Sequence, residues 1–472
     1  MELGKIYKNF LVAAVSRAIT ALIGLVIIGF LTRHLGQAGY GAYETILSYL
    51  FIFTILADFG LHIIHVREIS RHPEKETFIS GNIFTLRLVL VVLVMVLAAT
   101  AGSLLPYTPE IKNGILIAAL FVVFSSLSQV LAGIFQKYHT FYQVSLADIL
   151  TRAAQLGLVF WGVKNNFELL FFISTLSLTA ALQFLIIFFL SRSFIKFSLK
   201  LDLPYLKSIL KVSLPVAFSI LFTAIYIRTD ALMLSLMKTP AEVGIYRLPA
   251  KLLETLVFFP ALLVELTIPT FSYLAFNLKE IFNKLYKKTF NILLIFAVPV
   301  VVFLFVLAEK VILILGGKDF ILSALPLKIL AFVAGLVFLN NLGGKALIVL
   351  DLQKAGMRIY LFGAILNIVL NFIFIPKYSY LGAAWTTLGT EILVTILMFL
   401  ILFKKAGRTV DFKILAKSLI AGLVTGLVIY QFKELNILIP LSMGLIIYFP
   451  FLYLIKGFTK SDLKEIFNTQ GV

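Results

Sequence analysis

The sequence predicts an all-α polytopic membrane protein, and its composition carries that prediction. Hydrophobic residues make up 61% of the 472 residues and charged residues only 14%, against about 25% charged in soluble domains. A soluble chain this apolar could not cover its own surface. About 14 membrane helices of about 21 residues each would use roughly three fifths of the chain. That share matches the apolar fraction and leaves too little polar sequence for a soluble catalytic domain.

Apolar stretches long enough to cross a bilayer follow one another along the chain. They lie at residues 10–31, 42–66, 82–105, 113–135, 143–163, 169–190, 212–236, 248–274, 289–308, 326–350, 357–376, 382–403, 412–430 and 436–455. They lack the alternation typical of membrane β-barrels, so strands are not expected. Lys5 and Lys8 precede the first stretch. That stretch has no small-residue cleavage site, which indicates a retained helix rather than a signal peptide.

The basic residues predict the orientation of these spans. Of the 41 Lys and Arg residues, 25 fall in or beside the termini and the even-numbered links, and 9 in the odd-numbered links. Cytoplasmic loops carry the excess of positive charge. We therefore expect a multi-pass protein of the cell membrane with both termini cytoplasmic. The formal charge of +18 is then explained by basic cytoplasmic loops, and no nucleic-acid partner is expected.

The lengths of the links predict the domain organisation. The longest odd-numbered link, from Glu309 to about Leu325, is too short to hold an outer catalytic domain. The longest even-numbered link, 191–211, carries five basic residues and separates the first six spans from the rest. We predict an N-terminal lobe at 1–200 (spans 1–6), a C-terminal lobe at 201–405 (spans 7–12), and two additional spans with a short cytoplasmic tail at 406–472.

A short internal repeat supports two lobes. The pattern A-x-x-G-x-Y follows span 1, with Gly41 and Tyr43, and follows span 7, with Gly244 and Tyr246, 203 residues later. Coincidence is the alternative in so simple a composition. The positions nevertheless suit two six-span lobes, an arrangement found in alternating-access transporters.

Several motifs in this order resemble one known family. They are Ser16-Arg17, Leu31-Thr32-Arg33-His34-Leu35-Gly36, Gly39-Tyr40-Gly41, Asp58-Phe59-Gly60-Leu61, Arg67-Glu68-Ile69, Arg228-Thr229-Asp230, Asn367-x-x-x-Asn371, Ile375-Pro376 and Gly382-Ala383-Ala384. Together they resemble the O-antigen-type lipid-linked oligosaccharide flippases of the multidrug/oligosaccharidyl-lipid/polysaccharide exporter (MOP) superfamily, over roughly residues 10–405. The resemblance implies two six-helix lobes around a central cavity that opens alternately to each side, with spans 13 and 14 as two additional C-terminal helices.

Charged side chains at membrane depth are costly and therefore functional candidates. The cations expected to bind an anionic substrate are Arg17, Arg87, Arg152, Arg228, Lys251 and Lys345. The acids expected to couple transport to an ion gradient are Asp58, Asp230, Glu265 and Glu391. Arginine can hold phosphate through two parallel hydrogen bonds, which suits a diphosphate.

The cationic candidates have structural alternatives. Arg17 and Arg87 could snorkel to the inner headgroups. Asp148 and Arg152, at i and i+4, could pair with each other. Arg228 and Asp230 lie about 200° apart on their helix, so each needs a partner elsewhere.

Span 8 and span 2 carry polar stripes. Lys251, Glu254 and Glu265 share one face of span 8, and we expect Lys251 to pair with Glu254. Pro260 is expected to kink this span. In span 2, a carboxylate and two imidazoles (Asp58, His62 and His65) could relay protons, or could simply be satisfied polar groups at a helix end.

The leading hypothesis is an alternating-access flippase, not an enzyme. It would move a polyprenyl-diphosphate-linked oligosaccharide from the cytoplasmic to the outer leaflet for cell-surface polysaccharide assembly. Its expected partners are that glycan and membrane lipids, with a coupling ion (proton or sodium) and polysaccharide assembly proteins as open candidates. No cofactor is expected, and no metal site, because the chain has no cysteine and its five histidines are scattered. The alternatives are a cation-coupled multidrug exporter of the same fold and, with less support, a membrane glycosyltransferase or polymerase.

Overall fold

The computed structural model describes residues 2–195, 198–406 and 411–458, which contain α-helices and no β-strand. The helices are α1 (Glu2–Asp58), α2 (Leu61–Arg71), α3 (Glu76–Leu104), α4 (Pro109–Lys137), α5 (Tyr142–Lys164), α6 (Leu169–Ser191), α7 (Leu203–Met237), α8 (Pro240–Leu256), α9 (Phe258–Asn277), α10 (Lys279–Val306), α11 (Ala308–Gly316), α12 (Ala324–Val349), α13 (Gln353–Ala406), α14 (Phe412–Gln431) and α15 (Leu438–Leu454). The predicted all-α class is confirmed.

Nine helical stretches in the described ranges are long and apolar enough to cross a bilayer, and α15 is a shorter apolar helix. The chain is thus a multi-pass membrane protein. The count of 14 spans stays a prediction.

Two long helices each contain two predicted spans. Helix α1 continues from span 1 into span 2 with only Gly36 outside helical geometry, at φ 64°. Glycine adopts this left-handed conformation without a Cβ clash. Helix α13 likewise joins spans 11 and 12 through Ser379, at φ 51°. The links predicted at 32–41 and 377–381 are therefore sharp breaks within nearly continuous helix.

The second predicted span, 42–66, is longer than the helix that the structure contains there. Helix α1 ends at Asp58, because Phe59 and Gly60 adopt left-handed conformations at φ 51° and 71°. Residues from Leu61 onward form the separate helix α2. The motif Asp-Phe-Gly-Leu thus marks a helix break, and its aspartate is the last residue of α1.

The predicted kink in span 8 is present as a break between α8 and α9. Helix α8 ends at Leu256 and α9 begins at Phe258. Proline lacks an amide hydrogen, and its ring clashes with the carbonyl four residues earlier. For Pro260 that residue is Leu256, where α8 stops.

The described chain forms two compact units. The first contains everything up to Arg247 together with Leu315–Asp319 and Asn371–Tyr380. Its apolar core includes Leu131 and Phe135, both fully buried. The second contains Leu248–Ile314, Phe320–Leu370 and the chain from Leu381. The lobes predicted at 1–200, 201–405 and 406–472 stay a prediction.

Within the second unit, the last two helices pack beside α10. Small residues of α14 lie against α10, so that a Cβ on Gly422 would press into Val298. From α15, the hydroxyl of Tyr448 donates a 3.0 Å hydrogen bond to the carbonyl oxygen of Ile295. The two C-terminal helices are therefore tied into this unit by both packing and a buried hydrogen bond.

Candidate transport site

In the first unit, Asp58 and Arg87 form a buried ion pair. Arg87 is completely buried, and its Nη1 lies 2.6 Å from Oδ1 of Asp58. The same guanidinium donates to the carbonyl oxygen of Ala57 at 2.8 Å and to Oε1 of Gln129 at 3.1 Å. The snorkelling considered for Arg87 does not occur here, because the end of α1 offers the buried guanidinium a carboxylate and a carbonyl.

The two histidines near this pair bond to neighbouring helices. His65 is buried and its Nε2 lies 2.9 Å from Oγ of Ser80 on α3. Nδ1 of His62 lies 2.9 Å from the carbonyl oxygen of Gln129 on α4. These contacts fit the satisfied-polar alternative. The relay stays a hypothesis.

The i, i+4 ion pair considered for α5 does not form. Arg152 donates to Oε1 of Gln155 at 2.7 Å, while Asp148 accepts a hydrogen bond from the side-chain amide of Gln183 on α6. The i, i+4 spacing allows the ion pair, but Arg152 and Asp148 each bond to the side-chain amide of a glutamine instead.

Arg17 lies on α1 beside this part of α5. The hydroxyl of Ser16 donates a 3.0 Å hydrogen bond to the carbonyl oxygen of Ser145, one turn before Asp148 and two before Arg152. Arg17 and Arg152 are both exposed at the protein surface. The packing of α1 on α5 therefore presents two guanidinium groups on adjacent helices of one unit.

Arg228 and Asp230 have different surroundings, as their helical spacing predicted. The guanidinium carbon of Arg228 lies 4.6 Å from the ring centroid of Phe51. Asp230 is buried and accepts hydrogen bonds from the hydroxyl of Tyr246 and from the amide of Ala231, the latter at 2.7 Å. The tyrosine of the second A-x-x-G-x-Y segment thus binds the candidate coupling acid.

A second buried ion pair was missed in the sequence. Nε of Arg247 lies 2.9 Å from Oε2 of Glu44, and each side chain is only 2% exposed. Glu44 lies inside the predicted second span and Arg247 in the link after span 7, and neither is among the charged candidates predicted from the sequence. The repeat held the missing signal, since these residues directly follow Tyr43 and Tyr246.

In the second unit, the candidates Lys251, Lys345 and Glu265 are less buried than Arg87 in the first unit. Nζ of Lys251 is 3.3 Å from Oε2 of Glu254, one turn along α8. Lys345 is half-buried on α12, and Glu265 is exposed on α9. Lys251 and Glu254 therefore form the expected local pair.

Glu391 is the buried acid of the second unit. It accepts a 2.7 Å hydrogen bond from Nδ2 of Asn340, which also lies 2.7 Å from Oγ1 of Thr395. Among the described residues, no group of three or more His, Asp or Glu side chains forms a candidate metal site.

Solved structures of other membrane proteins share this fold. The fold is similar to that of the lipid II flippase MurJ in an inward closed conformation, at 16% identity over 94% of this chain and 99% of that chain, with a TM-score of 0.80. It is also similar to an inward-facing multidrug resistance MATE family transporter of the MOP superfamily, at 16% identity over 84% and 98%, with a TM-score of 0.63. A MOP superfamily transporter from Pyrococcus furiosus matches at 14% identity over 86% and 96%, with a TM-score of 0.58.

The particular family follows from the sequence. Residues 6–275, more than half of the chain, match the family described as "Polysaccharide biosynthesis protein". The chain belongs to this family and has the fold of MOP superfamily transporters, which confirms the resemblance predicted from its motifs. No curated protein sequence matches the chain.

Proposed function

We propose that this protein is an alternating-access flippase that moves a polyprenyl-diphosphate-linked oligosaccharide from the cytoplasmic to the outer leaflet. Membership of a polysaccharide biosynthesis family and a MurJ-like fold support a lipid-linked glycan as the substrate class. The observation that carries the proposal is the pair of exposed guanidinium groups, Arg17 and Arg152, on adjacent helices of one unit.

The charge on this pair suits a diphosphate. Arg152 donates its hydrogen bond to the neutral amide of Gln155, and its guanidinium group keeps its positive charge. Charge-assisted hydrogen bonds to phosphate contribute about 1.5–3 kcal/mol each, roughly ten- to a hundredfold in affinity. Arg228, near Phe51, would meet the same headgroup at another stage of the cycle.

The test is flipping of a polyprenyl-diphosphate-linked glycan in vesicles containing the purified protein. We expect Arg17→Ala and Arg152→Ala each to reduce flipping about ten- to a hundredfold. The lysine variants should recover part of the loss, because lysine keeps the charge but not the planar fork. Arg192→Ala is the matched control, since that exposed arginine stacks on Phe188 in the link after α6. Full flipping by both alanine variants would remove these residues from the substrate site.

A cation-coupled multidrug exporter is the second candidate. It is favoured by the similarity to a MATE family transporter and by the buried carboxyl groups of Asp230 and Glu391, which suit a cationic cargo or a coupling cation. Vesicle uptake of cationic dyes separates the two functions. Dye transport that depends on Asp230 or Glu391, in vesicles that do not flip the glycan, would establish the exporter.

A further inference from the structure

The two A-x-x-G-x-Y segments, 37–44 and 240–247, pack directly on each other within the first unit. A Cβ built on Gly41 would overlap the carbonyl oxygen of Pro240 and lie 2.9 Å from the amide nitrogen of Gly244. A Cβ built on Gly244 would overlap the carbonyl oxygen of Gln37 and lie 3.2 Å from the amide nitrogen of Gly41. Only glycine at both positions allows the backbones to come this close.

The contact is reciprocal. Gly41 and Gly244 are 203 residues apart, and so are the residues they touch, Gln37 and Pro240. Each segment therefore presents its glycine to the first residue of the other, as in a contact with local two-fold symmetry. A chance match of three letters over six positions would not predict that the matching residues meet as equivalents.

The buried ion pair obeys the same symmetry. Glu44 and Arg247 are also 203 residues apart, so the two segments meet at one equivalent position with opposite charges. Both side chains are almost completely buried. Removing one partner of such a pair leaves a buried charge, which is strongly destabilising, whereas well-packed apolar replacements for both can be neutral or stabilising.

Neighbouring links are tied to the crossing by hydrogen bonds. Glu242 accepts a hydrogen bond from the hydroxyl of Ser379, and Nζ of Lys238 donates at 3.0 Å to the carbonyl oxygen of Pro376. On the other segment's side, the hydroxyl of Thr32 donates at 2.7 Å to the carbonyl oxygen of Leu315. The odd-numbered links, which the charge bias places outside, are thus held together here.

We propose that this crossing is a reversible latch that holds the outer ends of the two repeats together and opens to release substrate. The inference rests on the proposed alternating-access function. An ion pair suits a latch because both charges gain hydration when water enters, whereas an apolar pair would be penalised for separating. The two glycines set how closely the latch shuts, and Glu44 and Arg247 set how readily it opens.

A disulfide reporter tests the latch without substrate. The chain has no cysteine, and the side-chain amide of Gln37 in the first repeat donates a hydrogen bond to the carbonyl oxygen of Asp319 in the second. Gln37→Cys with Asp319→Cys therefore places one pair of thiols across the crossing. In this background, Glu44→Gln should lower the rate of disulfide formation at least about tenfold, because a buried arginine that has lost the carboxylate of Glu44 shifts the population away from the closed state. The charge swap Glu44→Arg with Arg247→Glu should restore part of it. Glu76→Gln, which removes the carboxylate from the ion pair with Lys137, should leave the rate unchanged.

Glycine variants test the same latch without removing a charge. Gly41→Ala should lower the rate of disulfide formation as strongly as Glu44→Gln does. Gly24→Ala on the same helix should not, since a Cβ there meets nothing within 4 Å. If Glu44→Gln fails to fold, this glycine comparison decides. Unchanged disulfide rates in both Gly41→Ala and any folded Glu44 variant would overturn the latch.

A transport measurement separates the latch from a purely structural pair. The double variant Glu44→Leu with Arg247→Met should keep or raise the disulfide rate and reduce glycan flipping at least about tenfold, because an apolar latch stays shut. Wild-type flipping by this variant would refute the opening step. If the wild type does not flip the glycan while the disulfide rates respond as expected, the proposed function fails and the latch stands.

Discussion

Replacing Asp58 by asparagine should lower the free energy of unfolding by about 3 kcal/mol. The substitution keeps the shape of the side chain but leaves the guanidinium of Arg87, which is completely buried, without a carboxylate. Breaking a buried pair in this way costs about 3–5 kcal/mol. We expect the lower end, because Arg87 keeps its hydrogen bonds to the carbonyl oxygen of Ala57 and to Gln129. Denaturant unfolding in detergent micelles, monitored by circular dichroism, gives the value.

A double-mutant cycle identifies the source of that loss. Asp58→Asn combined with Arg87→Met should cost much less than the sum of the single variants, since the second change removes the stranded charge. Glu68→Gln is the control, because the pair of Glu68 with Arg67 is partly exposed and should contribute at most about 1 kcal/mol. A loss for Asp58→Asn as small as that of the control would refute the reasoning.

Three further predictions concern other parts of the chain. Lys287 donates a hydrogen bond to Asp411 and lowers the pKa of that carboxyl group. The pair's contribution to the free energy of unfolding is therefore complete above pH 3.8, the ordinary pKa of an aspartate, and is lost as pH falls through the lowered pKa. The stability of Asp411→Asn should lack this loss at acid pH. Reporter fusions after Val163 and after Lys200 should give opposite readouts, and equal readouts would contradict the orientation predicted from the basic residues. Glu391→Gln should abolish gradient-driven transport in reconstituted vesicles while leaving passive equilibration intact, and unchanged gradient dependence would exclude this acid as the coupling group.

Much of the fold could be predicted from local sequence because a bilayer imposes one requirement on every segment. A run of about 20 apolar residues is long enough to span it as a helix, and the break before Pro260 follows from the chemistry of one residue. The ends of helices were less predictable. The composition of a link does not show whether it forms a loop or a sharp break within one long helix. In α1 and α13 the break is a single left-handed residue, Gly36 and Ser379 respectively.

Ion pairs could be predicted from the sequence only where both partners lie on one helix. Of the two pairs predicted in this way, one forms and one does not. Lys251 meets Glu254 as expected, but Arg152 turns to Gln155 and leaves Asp148 to α6. The partner of Arg87 comes from another helix, so its identity depends on how helices pack, which periodicity does not encode.

The opposite charges at the centre of the repeat have a consequence for how the halves of such a chain assemble. If two copies of the first segment associated symmetrically, Glu44 would face a second Glu44, and two copies of the second segment would bury two arginines together. Either arrangement places like charges in a site closed to water, which costs far more than the mixed pair. This single position therefore discriminates against self-association of each half and favours the union of unlike halves. Separately expressed N- and C-terminal fragments should accordingly recover one another from a mixture rather than form homodimers.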